Sequence, residues 1–215
     1  MKKLFITALI VLSFVTGKAQ DNGMETLFGG ENFSLGGYGG PEVKFTNINN
    51  EFGLMVGGRG GFLMNSVFTV GIAGYGLVTS HKVEDYKPQF PRGEDSSAYL
   101  RLGYGGLHFG FNIEPNKLVH ITTGVIIGGG AASYTTPFYH RHDDEDNYDS
   151  NFKTYETSAF FIVEPQVGAE VNLLKFMRME VSGSYRFVSG INLPNTQNSD
   201  LSGFSGNIMF KFGKF

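Results

Sequence analysis

The residues best equipped for chemistry fall in one short stretch: Tyr139-His140-Arg141-His142-Asp143-Asp144-Glu145-Asp146-Asn147-Tyr148-Asp149. Asp143, Asp144, Glu145, Asp146 and Asp149 are hard oxygen donors of the kind that hold a divalent cation such as Ca²⁺. His140 and His142 are imidazole donors suited to a transition metal. The run does not complete an EF-hand loop, because Tyr148 stands where a ligand is needed, in the fifth position counted from Asp144, and no Gly follows. Charge this dense reads first as a solvated surface loop. Ca²⁺ on that loop is the only cofactor the sequence suggests.

The other chemical candidates are weaker. His81 and His108 have no nucleophile at a set spacing, and the nearest approach to a His–hydroxyl pairing is His120-Ile121-Thr122. The chain has no cysteine, which excludes a disulfide scaffold, a thiolate metal site, a thiol nucleophile and a lipid-modified N-terminal Cys. Gly57-Gly58-Arg59-Gly60-Gly61 and Gly128-Gly129-Gly130 lack the Lys-Ser/Thr ending and the following helix of a phosphate loop. A formal net charge of -3 disfavours nucleic acid as a partner. The expectation is a protein without enzymatic chemistry.

The elements that must position these residues are strands. The 215 residues include 31 Gly, 21 Phe and 10 Tyr but no Trp. Hydrophobic residues make up 41% while the mean hydropathy is only -0.09, so apolar and polar residues are finely interleaved. Residues 1–19 have the form of a secretory signal: Lys2 and Lys3, an apolar stretch from Leu4 to Val15, then Gly17 and Ala19 at the -3 and -1 positions of a cut before Gln20. Twelve apolar residues are too few for a membrane helix, which needs about 20. Cleavage removes Lys2, Lys3 and Lys18 and moves the net charge from -3 to -6.

Beyond a short N-terminal tail at 20–31, alternation predicts eight strands over 32–45, 52–64, 67–79, 97–113, 118–134, 157–172, 177–190 and 201–214. In the last three the period of two is clear, with Val163, Val167 and Val171 opposing Glu164, Gln166 and Glu170. In the third and fourth the apolar face changes phase, from Phe68, Val70 and Ile72 to Tyr75 and Leu77, and from Leu100, Leu102 and Tyr104 to Leu107, Phe109 and Phe111. Gly74 and Gly105-Gly106 mark those changes, so a bulge or glycine kink is expected there.

Connections after the second, fourth and sixth strands are tight, whereas 80–96, 135–156 and 191–200 are long; the first, 46–51, is short and polar. A meander with tight turns at one rim and long loops at the other is how an outer-membrane barrel is built. Strands of this length also exceed the 9–11 or so residues that cross a bilayer at a tilt. The fold class expected is therefore an all-β, antiparallel up-and-down transmembrane barrel of eight strands over 32–215. Its polar face would be the lumen, carrying Glu42, Lys44, Arg59, Arg101, Glu164, Glu170, Arg178, Glu180, Arg186 and Lys211. Eight strands enclose a space that side chains can fill, so these charges are expected to form paired networks.

The signal ending in Ala19-Gln20, the eight Gly- and aromatic-rich strands and the terminal Phe215 resemble the small OmpA/OmpX-like, porin-like outer-membrane β-barrels. A terminal Phe is similar to the C-terminal signal that barrel-assembly machinery reads, although Phe215 is out of phase with Phe212, Phe210 and Ile208. The resemblance implies export to the outer membrane of a Gram-negative cell envelope. It implies lipid and lipopolysaccharide as surroundings and the assembly machinery as a partner during biogenesis. The expected role is a non-enzymatic anchor whose loops meet a surface or envelope protein. The alternatives are a narrow channel for small solutes and an accessory subunit of an envelope or secretion assembly. Lipid A deacylases resemble this architecture too, but their His-x-Ser pairing has no counterpart here.

Overall fold

The computed structural model describes residues 33–83, 86, 98–135 and 154–215. The signal, the 20–31 tail and the acidic run with His140, His142, Asp143, Asp144, Glu145, Asp146 and Asp149 lie outside the described residues.

Among the described residues nine strands form: β1 Leu35–Ile48, β2 Glu51–Met64, β3 Phe68–Leu77, β4 His81–Val83, β5 Ala98–Ile113, β6 Val119–Thr135, β7 Thr154–Leu174, β8 Met177–Ser189 and β9 Gly203–Lys214. Neighbours pair antiparallel in the order β3-β2-β1-β9-β8-β7-β6-β5, and β3 pairs with β5 to close the ring. The unit Ser34–Phe215 is thus a closed eight-stranded barrel, and β4 extends the wall beyond β3 along β5. All eight expected strands are present. Among the described residues, the segments expected as irregular loops contain two further elements, β4 and a single helical turn, α1 (Asn198–Leu201).

The tight turns follow from residues that tolerate positive φ. Asn49-Asn50 (51° and 61°) joins β1 to β2, and Asn65-Ser66 (52° and 59°) joins β2 to β3. Both central residues being left-handed is the type I′ geometry that matches strand twist. Asn65 also accepts a hydrogen bond from the Ser34 amide at 3.0 Å, fixing the first strand's entry.

The expected phase changes are not bulges. Pairing between β3 and β5 runs without a shift through Gly74↔Gly105 and Ala73↔Gly106. Alternate residues stay inward throughout: Thr69, Ala73, Tyr75 and Leu77 on β3, and Leu100, Leu102, Tyr104, His108 and Asn112 on β5. What changes along each strand is the lumen, which is polar near the tight turns and apolar near the long connections. The register irregularities that do occur lie at Tyr134/Thr135 and at Asn172/Leu174, near strand ends.

The wall is inverted relative to a water-soluble protein. Phe62, Ile72 and Phe204 stand outward at 66%, 69% and 76% exposure, whereas Glu164 and Lys44 are fully enclosed. Inward glycines let the wall coil tightly: a Cβ at Gly40 would strike the Phe210 carbonyl, and one at Gly128 the Gly105 carbonyl.

Candidate functional site: the lumen

Nine of the ten charges expected in the lumen are buried inward: Glu42, Lys44, Arg59, Glu164, Glu170, Arg178, Glu180, Arg186 and Lys211. Arg101 is the correction. It alternates with the buried Leu100 and Leu102 on β5 and therefore stands on the outward register, opposite Ser133 of β6. Only a kink would turn it inward, and the strand pairs without one.

The inward charges form a connected chain. Glu170 and Glu180 face one another directly across β7 and β8. Such a like-charge pair needs a cation between, and Lys211 of β9 supplies it, its ammonium bonding to Glu170 Oε2 and Glu180 Oε2. Glu170 Oε1 also accepts from Arg178 (2.9 Å) and meets His120 Nε2 (3.0 Å). Glu180 Oε1 accepts from Arg59 NH2 at 2.7 Å. Arg59 continues to Glu42, Nε to Oε2 at 3.4 Å. Lys44 lies 3.9 Å from Glu42 and donates to Glu164 Oε1 at 2.7 Å. Tyr75 donates to Glu42 and Tyr104 to Glu164, so each carboxylate at the far end is held by a phenol as well (2.8 and 2.6 Å). Charges removed from water persist only when paired and hydrogen-bonded in this way.

Sequence reasoning did not place the histidines in this chain. His108 lies among the charges, and its Nε2 is approached by Arg59 NH1 (3.0 Å) and Gln166 Nε2 (3.2 Å). Both neighbours are donors, so Nε2 accepts and the proton of a neutral ring sits on Nδ1. His120 closes the tight-turn end against Glu170. A strict two-residue count along β5 from Leu102 would have put His108 in the lumen.

Above the charges the lumen becomes hydrocarbon. Met55, Leu77, Leu100, Leu102, Ile126, Tyr134, Ile162 and Val188 pack together, joined by Leu193 and Leu201 from the 190–202 connection. At the opposite end, the ring of Phe215 stacks on Tyr38 (6.4 Å between centroids) and under the Arg178 guanidinium (4.1 Å). That contact explains why Phe215 is out of phase with Phe212: its ring belongs to the lumen side. Beside the long connections a cavity of about 470 Å³ opens between Asn49, Glu51, His81, Thr196 and Asp200. There His81 bonds to Glu51 (3.1 Å) and Thr79 (2.9 Å). Among the described residues no cluster of three or more His, Cys, Asp or Glu could hold a metal.

A closed antiparallel barrel with charges inside and aliphatic and aromatic side chains on its wall is an integral membrane β-barrel. No protein-family model and no curated protein matches the chain. Among solved structures it is similar to Neisserial surface protein A, with 13% identity, a TM-score of 0.47 and coverage of 86% of this chain and 100% of that one. It is similar also to Ail, the attachment invasion locus protein of Yersinia pestis, at 10% identity and TM-score 0.44, covering 83% of this chain and 97% of that one. The N-terminal β-barrel domain of Pseudomonas aeruginosa OprF follows at 8% and 0.40, covering 82% and 96%. Likeness at this level transfers no residue role.

Proposed function

We propose that this protein is an integral outer-membrane barrel of the cell envelope. It acts as a non-enzymatic anchor with a closed lumen, and it presents its long connections to surface ligands, lipopolysaccharide or an envelope protein. The observation that carries the reading is the inversion of the wall: Phe62, Ile72 and Phe204 face outward while Glu42, Glu164 and Glu180 face inward. An outward apolar band is costly in water and favourable in lipid. Closure is supported by the continuous ion-pair chain and by the hydrocarbon packed above it, which together occupy the width eight strands enclose. The long connections lie at the rim opposite the β2–β3, β5–β6 and β7–β8 turns, where extracellular loops of such barrels stand.

The test combines fractionation with planar-bilayer recording. The processed protein should stay with the membrane pellet through an alkaline carbonate wash, enter solution only with detergent, and migrate differently on gels before and after boiling. Refolded into a bilayer, it should pass no discrete current steps. Recovery in a detergent-free soluble fraction would overturn the membrane reading. Reproducible steps altered by Arg59→Ala would replace the closed anchor with a narrow channel.

A further inference from the structure

Arg186 is the exception among the buried cations. It is fully enclosed, yet among the described residues it has no carboxylate within ion-pair distance. Its shortest contact is Nε donating to the Leu201 carbonyl at 2.7 Å. Leu201 is the last residue of α1, and a carbonyl there carries the negative end of the turn's aligned dipoles and has no partner of its own within the helix. Its NH1 donates to the Met55 sulfur (3.3 Å) and its NH2 to the Thr46 hydroxyl (3.4 Å), and the guanidinium also lies against Tyr104. A buried charge is thus committed to holding one loop.

That loop lies across the long-connection end of the lumen. Leu193 and Leu201 point down into the hydrocarbon cluster, and Leu201 is completely buried. Its edges are tied to three different parts of the rim: the Asn49 amide donates to the Asp200 carbonyl (2.7 Å), the Asn192 amide to Ser158 Oγ (2.9 Å), and Tyr134 bonds to Thr196 Oγ1 (2.6 Å). The cavity of about 470 Å³ lies against one flank of the loop, bounded by Thr196, Asp200 and Leu201, and leaves space into which the loop can move.

We propose that residues 190–202 form a lid over the apolar half of the lumen, latched from below by Arg186, so that contact made with the lid from outside is communicated to the charged chain. The link is Tyr104. Its ring lies 5.6 Å from the Arg186 guanidinium, and its hydroxyl donates to Glu164 at 2.6 Å. When the lid lifts, Arg186 loses the Leu201 carbonyl, and Tyr104 and Glu164 become its remaining strong partners. The lid therefore exists in two arrangements, docked or released, that differ in which acceptor holds one cation. This inference rests on the closed-barrel reading and specifies what regulates the closure.

The absence of native cysteine makes the test clean. Leu193→Cys places a thiol under the lid, and Thr122→Cys places one on the inward face of β6 near the tight turns, away from the apolar half that the lid covers. Both variants are treated with a maleimide in detergent, with and without Arg186→Met, a change that removes the charge and retains most of the length. The expected result is at least tenfold faster labelling at position 193 in the Arg186→Met background, unchanged protection at position 122, and an unchanged gel shift on boiling. An added Asn49→Cys/Asp200→Cys pair, a backbone hydrogen bond apart, should restore protection when oxidised and lose it when reduced. Equal labelling at position 193 in both backgrounds overturns the latch. So does parallel labelling at position 122, since the substitution would then have loosened the whole barrel. Neither result bears on whether the barrel partitions with membranes, so failure of the latch is distinguishable from failure of the membrane reading.

Discussion

The two halves of the lumen solve one packing problem with opposite materials. Near the tight turns, Glu170, Glu180, Lys211, Arg178 and Arg59 fill the interior with ion pairs that define one another's positions. Near the long connections, Leu100, Leu102, Ile162 and Tyr134 fill it with hydrocarbon, completed by a loop folded inward. The ionic half is self-contained in the wall: all its members are on strands. The apolar half is open-ended without its lid. On the proposed reading, wall charges close one end of this narrow barrel and a removable element closes the other.

The largest expected effect breaks the ionic half at its centre. Lys211→Met leaves Glu170 and Glu180 facing across β7 and β8 without the cation between them. Breaking a buried charge network in this way should cost about 3–5 kcal/mol. Equilibrium unfolding in urea, followed by the gel shift in lipid or detergent, would read it as a lower midpoint at unchanged slope.

A somewhat smaller effect probes the other half. Ile162 is fully buried and faces the hydrocarbon cluster. Ile162→Ala should cost about 2–4 kcal/mol through lost burial and the cavity left behind. The loss should be additive with Lys211→Met if the halves are independent, because distant sites without shared partners add within about 0.5 kcal/mol. A coupling much above that in the double variant would mean the two materials are one core, and the comparison would have to be withdrawn.

The strands and the sorted connections were legible in the sequence because alternation and turn residues are local signals. β7 to β9 show it best: Glu164, Glu170, Arg178, Glu180 and Lys211 all lie on the inward face that simple parity assigns. The site was misread where the lumen itself changes character. On β5, Leu100 and Leu102 point inward and Leu107 and Phe109 outward, so apolarity alone suggests a flip, whereas parity does not. A rule that keeps parity and lets the lumen's polarity vary would have set Arg101 outside and His108 inside. The lid was not legible for a different reason. Leu193 and Leu201 sit in a polar stretch with Pro194, Asn195, Gln197 and Asn198, and only the tertiary contact with Arg186 reveals that this stretch folds inward. Arg186 itself carries the same sequence signal as its paired neighbours, although its partner is a loop carbonyl.

The smallest net effect sharpens the account of what the ion pairs are for. Lys44→Met alone strands Glu164 with only hydroxyl donors, Tyr104 and Ser184, and should cost about 3 kcal/mol. Adding Glu164→Gln removes the orphaned charge and leaves an amide whose oxygen accepts from one hydroxyl and whose NH2 donates to the other, in place of the two carboxylate oxygens. The double variant should therefore return to within about 1 kcal/mol of the parent, since replacing both members of a buried pair is far less costly than removing one. The same double-mutant cycle separates two meanings of the charged half. If the double variant recovers stability and keeps a Leu193→Cys thiol as protected as in the parent, the pair serves local packing. If stability returns but that thiol labels more slowly, Glu164 is also the acceptor that competes with the Leu201 carbonyl for Arg186, and the ionic half sets the position of the lid as well as the strength of the wall.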